Sequence, residues 1–75
     1  MVEMMRRNDL AAKYKMSPST ITIYKNEMIA SGLFDDSCIW SGHRYLFIDE
    51  AAFGYWLQVR RKYRLGKPVK RYIRR

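Results

Sequence analysis

A chain of 75 residues has room for one domain, and at this size folding buries only about 60% of the surface that the unfolded form exposes, which argues against a deep catalytic cleft. Hydrophobic residues make up 48% of the sequence and aromatic ones 15%, enough for a compact core and too much for a disordered chain. Lys and Arg number 15 against 7 Asp and Glu, and the resulting formal charge of +8 favours a polyanionic partner, either nucleic acid or an anionic membrane surface.

No apolar run approaches the roughly 20 residues that cross a bilayer, and the opening MVEMMRR lacks the apolar stretch of a secretory signal. A cytoplasmic protein with no membrane partner is expected. Cys38 is the single cysteine, so an intramolecular disulfide is excluded, and Cys38 with His43 gives two soft ligands where structural zinc takes four. Cys38 is read instead as a small, partly buried apolar residue, with no metal or other cofactor expected. The sequence holds no glycine-rich phosphate loop and no nucleophile with an identifiable base, so it reads as non-enzymatic.

Charge is unevenly distributed along the chain. Every acid lies at or before Glu50, whereas Arg60, Arg61, Lys62, Arg64, Lys67, Lys70, Arg71, Arg74 and Arg75 follow with no acid among them. Gly66 and Pro68 interrupt any continuous helix there, which divides the chain into a compact unit, residues 1–65, and a basic C-terminal tail, residues 66–75.

The first helix is expected to start at Asn8 as N-cap, with Asp9 facing the positive end of the helix dipole and Leu10, Ala11 and Tyr14 as an apolar stripe. After a break at Lys15-Met16, Ser17 is a second N-cap and Pro18 fits the first helical position, where its missing N–H costs nothing. Ile21, Tyr24 and Met28 then recur at spacings of three and four and define the buried face of a helix over 18–31. Gly32 ends it, with Leu33 placed to fold back onto Met28. Beyond the acidic turn Asp35-Asp36, the runs Cys38-Ile39-Trp40 and Arg44-Tyr45-Leu46-Phe47-Ile48 flank Ser41-Gly42-His43 and predict a hairpin. Asp49 caps a third helix that turns Phe53, Trp56, Leu57 and the stem of Arg60 inward and Gln58, Arg61 and Lys62 outward. Tyr14, Tyr24, Trp40, Tyr45, Phe47, Phe53 and Trp56 fall on faces that need burial, so core is preferred to a stacking platform for most of them. The expected class is α+β, mainly helical, with about three helices and a two-stranded hairpin.

The segment from Leu10 to Ile21 resembles the helix-turn-helix of bacterial and phage regulators. Ala11 fits the small residue where the helices cross, Met16 the apolar plug in the turn, and Ser17, Thr20 and Ile21 the start of the second helix. One residue departs from the pattern: Lys15 stands where the family usually has Gly, which implies a turn tighter or longer than the family's. Ser17-Pro18-Ser19-Thr20-Ile21, Gly32-Leu33, Arg44-Tyr45 and Asp49-Glu50 before an apolar helix resemble, in order and rough spacing, the MerR-type winged domain over about residues 8–65. Small phage and transposon excisionases share that arrangement as stand-alone proteins. The long dimerisation helix and effector domain of MerR regulators are absent here, so the excisionase-like or phage-regulator branch fits better.

The resemblance implies a winged helix-turn-helix that binds double-stranded DNA sequence-specifically, as an architectural excision factor or a transcriptional regulator of a phage or mobile element. The helix over 18–31 would read the major groove. Ser17 and Thr20 are then phosphate ligands at its N-terminus, Lys25 a further DNA contact, and Ser19, Thr22, Ile23 and Asn26 the outward-facing set. Asn26 suits an adenine edge, Ile23 a thymine methyl, and Thr22 either phosphate or base. Gly42-His43-Arg44 would form the wing tip, with Arg44 suited to a narrow minor groove and His43 a turn residue beside it. Lys67, Lys70, Arg71, Arg74 and Arg75 in the tail are candidates for phosphate contact, against a solvated end. One module of this size buries modest area, so self-association on adjacent DNA sites is expected, with an integrase or recombinase or RNA polymerase as further partners. The competing readings are a protein-interaction module that grips an integrase or polymerase subunit, and an RNA-binding protein.

Overall fold

The structure is a computed structural model that describes residues 4–42 and 45–73. Its elements run β1 (Met4–Arg6), α1 (Arg7–Tyr14), α2 (Pro18–Ser31), a 3₁₀ turn (Asp36–Cys38), β2 (Ile39–Ser41), β3 (Leu46–Asp49) and α3 (Glu50–Arg64). The three strands form one antiparallel sheet in the order β1-β3-β2, with Met5 and Ile39 opposite Ile48 and with Arg6 and Trp40 opposite Phe47. This is the expected α+β class, mainly helical and winged-helix-like.

Local chemistry accounts for the main boundaries. Ser17 Oγ accepts the Thr20 amide at 3.2 Å with Pro18 in the first turn, and Gly32 ends α2 in the left-handed region at φ 70°. Asp49 is buried, and its carboxylate accepts the Ala51 amide at 3.0 Å to cap α3.

Three expectations about the elements change. β1 adds a third strand to the hairpin, and its pairing with β3 carries extended backbone through Arg6, so α1 begins at Arg7. Asn8 then lies inside the first turn, and the N-cap is Arg6, which makes no side-chain cap. Lys15 keeps the turn short by adopting the left-handed conformation itself, at φ 56° and ψ 46°, while the Met16 amide donates to Ala11 O at 2.8 Å. A Cβ there costs about 1–2 kcal/mol, which the surrounding packing must offset. The hairpin strands are also shorter than expected, because Cys38 belongs to the 3₁₀ turn and β3 starts at Leu46.

The core gathers Leu10 and Ala11 from α1, Ile21 and Met28 from α2, Phe34, Cys38, Ile48, and Ala52, Phe53 and Trp56 from α3. Tyr14 and Tyr24 are half-buried against Phe53, with ring centroids 5.2 and 6.2 Å away. Leu33 and Leu57 are half-buried at its edge. Trp40, Tyr45 and Phe47 are exceptions to the preference for core: all three lie on the outward face of the sheet, Phe47 half-buried and Trp40 and Tyr45 54% and 53% exposed.

A polar seam joins α2 to α3. Glu27 accepts from Arg60 Nε at 2.6 Å and Nη2 at 3.0 Å and from Trp56 Nε1 at 3.2 Å, and the Arg60 guanidinium lies 4.4 Å from the Tyr24 ring centroid. The Arg60 hydrogen bond outweighs desolvation and holds the Glu27 carboxyl below the usual carboxylate range. On the opposite flank, Lys13 and Glu50 form an ion pair between α1 and α3.

Beyond α3, Gly66 turns the chain at φ 77° and residues 67–73 fold back as a strap. The Tyr72 amide donates to Leu33 O at 2.9 Å, the Tyr72 ring packs 5.7 Å from Phe34 and 5.4 Å from Tyr55, and Tyr55 OH donates to Lys70 O at 2.6 Å. The described part of the basic segment is therefore attached to the domain through Tyr72 and the Lys70 carbonyl, with its cationic side chains exposed. Among the described residues no helix is long and apolar enough to cross a membrane.

Candidate nucleic-acid interface

Helix periodicity sets the face that α2 offers to a partner. With Ile21 and Met28 fully buried, a turn of about 100° per residue carries Ser19, Ile23 and Asn26 to the opposite side. All three are exposed there, Ile23 at 55%, together with Ala30. An exposed β-branched side chain beside an amide and a hydroxyl is suited to base edges, whose major-groove pattern mixes methyl groups with donors and acceptors.

Thr22 and Lys25 are half-buried on one flank of that face, where α2, the start of α1 and the sheet enclose an open groove of about 450 Å³. Arg6, Arg7, Ser41 and Tyr45 complete the lining that matters for charge and stacking. Arg7 Nη1 donates to Thr22 Oγ1 at 3.2 Å, and that hydroxyl donates to Pro18 O at 3.3 Å. Thr22 therefore fixes Arg7 over the groove, a task the sequence reading did not give it. Ser17 and Thr20 are likewise engaged with each other, their hydroxyl oxygens 3.0 Å apart beside the capping bond.

Lys67, Lys70 and Arg71 are exposed on the strap, whose Tyr72 is tied to Leu33, one residue past the C-cap of α2. Cations thus lie beside the exposed α2 face at the Arg6–Arg7–Lys25 groove, and the strap carries others next to its tie at Leu33. His43, Arg44, Arg74 and Arg75 lie outside the described residues. Arg6 and Arg7 were missed by sequence reasoning. The signal available was the Arg-Arg pair directly before Asn8, but only the pairing of β1 with β3 brings it to the groove.

Fold and surface together define a small winged-helix-like domain with a cation-flanked helix face. Comparison of the chain with protein-family models, with curated proteins and with solved structures finds no match.

Proposed function

We propose that this chain is a non-enzymatic, sequence-specific double-stranded DNA-binding protein that reads the major groove with α2 and touches the adjacent minor groove or phosphates with the wing. The observation that carries this reading is the exposure of Ile23 beside Asn26 and Ser19, opposite the buried stripe of α2 and next to the Arg6–Arg7–Lys25 groove. An isoleucine set between a hydroxyl and an amide on that face suits thymine methyl recognition. The net charge of +8 supports the same partner, because neutralised phosphates release counterions and drive association. The resemblance to excisionases and MerR-type regulators narrows the role to an architectural excision factor or a transcriptional regulator of a phage or mobile element. Such a role implies several copies on adjacent sites, with a recombinase or RNA polymerase as protein partner.

The test is a pair of substitutions measured by fluorescence anisotropy on a duplex selected from random sequence and on unselected DNA. Asn26→Ala is expected to cost about 1–3 kcal/mol on the selected duplex and little on the other. Ile23→Ser should lower selected-site binding while leaving stability within about ±0.5 kcal/mol. Equal losses on both DNAs would remove α2 as the reading element.

A further inference from the structure

The inward residues of the sheet, Ile48 and the half-buried Ile39 and Leu46, belong to the core, and alternation sends Arg6, Trp40, Tyr45 and Phe47 to the other face. There Phe47 is the centre of an aromatic row. Its ring centroid lies 5.6 Å from Trp40 and 6.5 Å from Tyr45, with interplanar angles of 51° and 31°, and the Arg6 guanidinium sits 5.8 Å from it and 5.6 Å from Tyr45. Trp40 is more than half exposed yet held in place: a Cβ added to Gly42 would meet its six-membered ring at 2.7 Å, so the indole lies directly on the glycine backbone. The Gly42 amide donates to Tyr45 O at 2.8 Å, which ties Tyr45 to the same platform.

Solvent-exposed aromatic rings held against glycine and a neighbouring ring, with a guanidinium over the Tyr45 and Phe47 rings, suit a flat partner that carries negative charge. Among the described strands the one carboxylate is Asp49, which is buried and caps α3, so none of these strands sets a carboxylate on the row. We infer that this face is a second nucleic-acid site, which stacks unpaired bases of single-stranded DNA on Trp40 and Tyr45 with Arg6 on the backbone. Every base has a π-face, so such a platform tolerates sequence. The choice of DNA over RNA rests on the duplex reading above, because Arg6 and Tyr45 also line the groove beside α2 and place the two sites side by side.

The experiment titrates the full chain with labelled oligothymidylate of about 12 nucleotides, within the usual span of single-strand sites. Trp56 is buried, so quenching of tryptophan emission on binding reports Trp40. Trp40→Ala and Tyr45→Ala should each weaken oligothymidylate binding roughly 5- to 150-fold, the range for loss of one stacked base, with Trp40→Phe retaining most of it. Affinity of Trp40→Ala for random duplex and for heparin, which has charge but no bases, should change less than about twofold, and Ile23→Ser should leave oligothymidylate binding intact. Failure of the wild-type chain to bind oligothymidylate overturns the inference, as does equal loss of heparin binding in Trp40→Ala. Trp40-dependent self-association without oligonucleotide binding would assign the face to a second copy instead. Tighter binding of oligouridylate than of oligothymidylate would overturn the assignment to DNA while leaving the duplex reading untouched.

Discussion

At the seam between α2 and α3, Arg60 lies over Tyr24 and clasps both oxygens of Glu27, whose carboxylate also receives the indole N–H of Trp56. On the outward face of the sheet, Arg6 lies beside Tyr45 and Phe47, and among the described residues no carboxylate pairs with it. Both clusters are built from an arginine, a tryptophan and further rings. What separates them is the carboxylate and the depth of the indole: Trp56 is 2% exposed and Trp40 is 54% exposed. A satisfied, covered cluster holds helices together. An uncovered one leaves its cation and its rings available to something outside the chain.

The two tryptophans should therefore differ most when removed. Trp56→Ala is expected to lose about 3–5 kcal/mol, enough to unfold much of a chain this small, because it empties the core and strands one hydrogen bond of Glu27. Trp40→Ala should cost about 1 kcal/mol or less in urea unfolding followed by far-ultraviolet circular dichroism. Comparable losses at the two positions would erase the distinction between seam and platform.

A smaller effect tests the seam by pH. Hydrogen bonding from Arg60 lowers the Glu27 pKa from 4.5, so its contribution is fully present above that value and is lost as pH falls through the lower, folded value. Glu27→Gln should cost about 1–2 kcal/mol near neutral pH, and the gap to the wild type should narrow as the pH is lowered below 4.5. A gap that stays constant would mean that the carboxylate charge plays no part.

The smallest effect is expected at Arg6. Arg6→Gln should change stability by about 0.5 kcal/mol, the scale of an exposed cation–π contact, whereas Arg60→Gln should cost several times more by leaving Glu27 partly buried and unpaired. Equal costs in urea unfolding would show that Arg6 has a structural role after all.

Elements with chemical punctuation were legible in the sequence. Ser17-Pro18 and Gly32 bracket α2 because capping, a fixed φ and a positive φ are properties of single residues, and Asp49 announces α3 for the same reason. The outward position of Ser19, Ile23 and Asn26 followed from periodicity alone. β1 was not legible: a strand of Met-Met-Arg carries no strand signal of its own and exists through its partner β3, distant in sequence. With β1 went the start of α1 and the roles of Arg6 and Arg7. The exposure of Trp40 was hidden too, since a run such as Cys-Ile-Trp needs burial on one face and does not say which residues receive it. In the strap, Tyr72 stands among charges, and its site between Phe34 and Tyr55 is assembled from two other parts of the chain.

That strap changes the entropy of any contact its cations make. A free basic end must lose backbone freedom when it settles on a polyanion, about 1–2 kcal/mol for each residue fixed. Lys67, Lys70 and Arg71 lie between the turn at Gly66 and the Tyr72 anchor, so folding has already restricted the backbone that carries them. Their charges arrive preorganised, and only side-chain freedom is left to lose on binding.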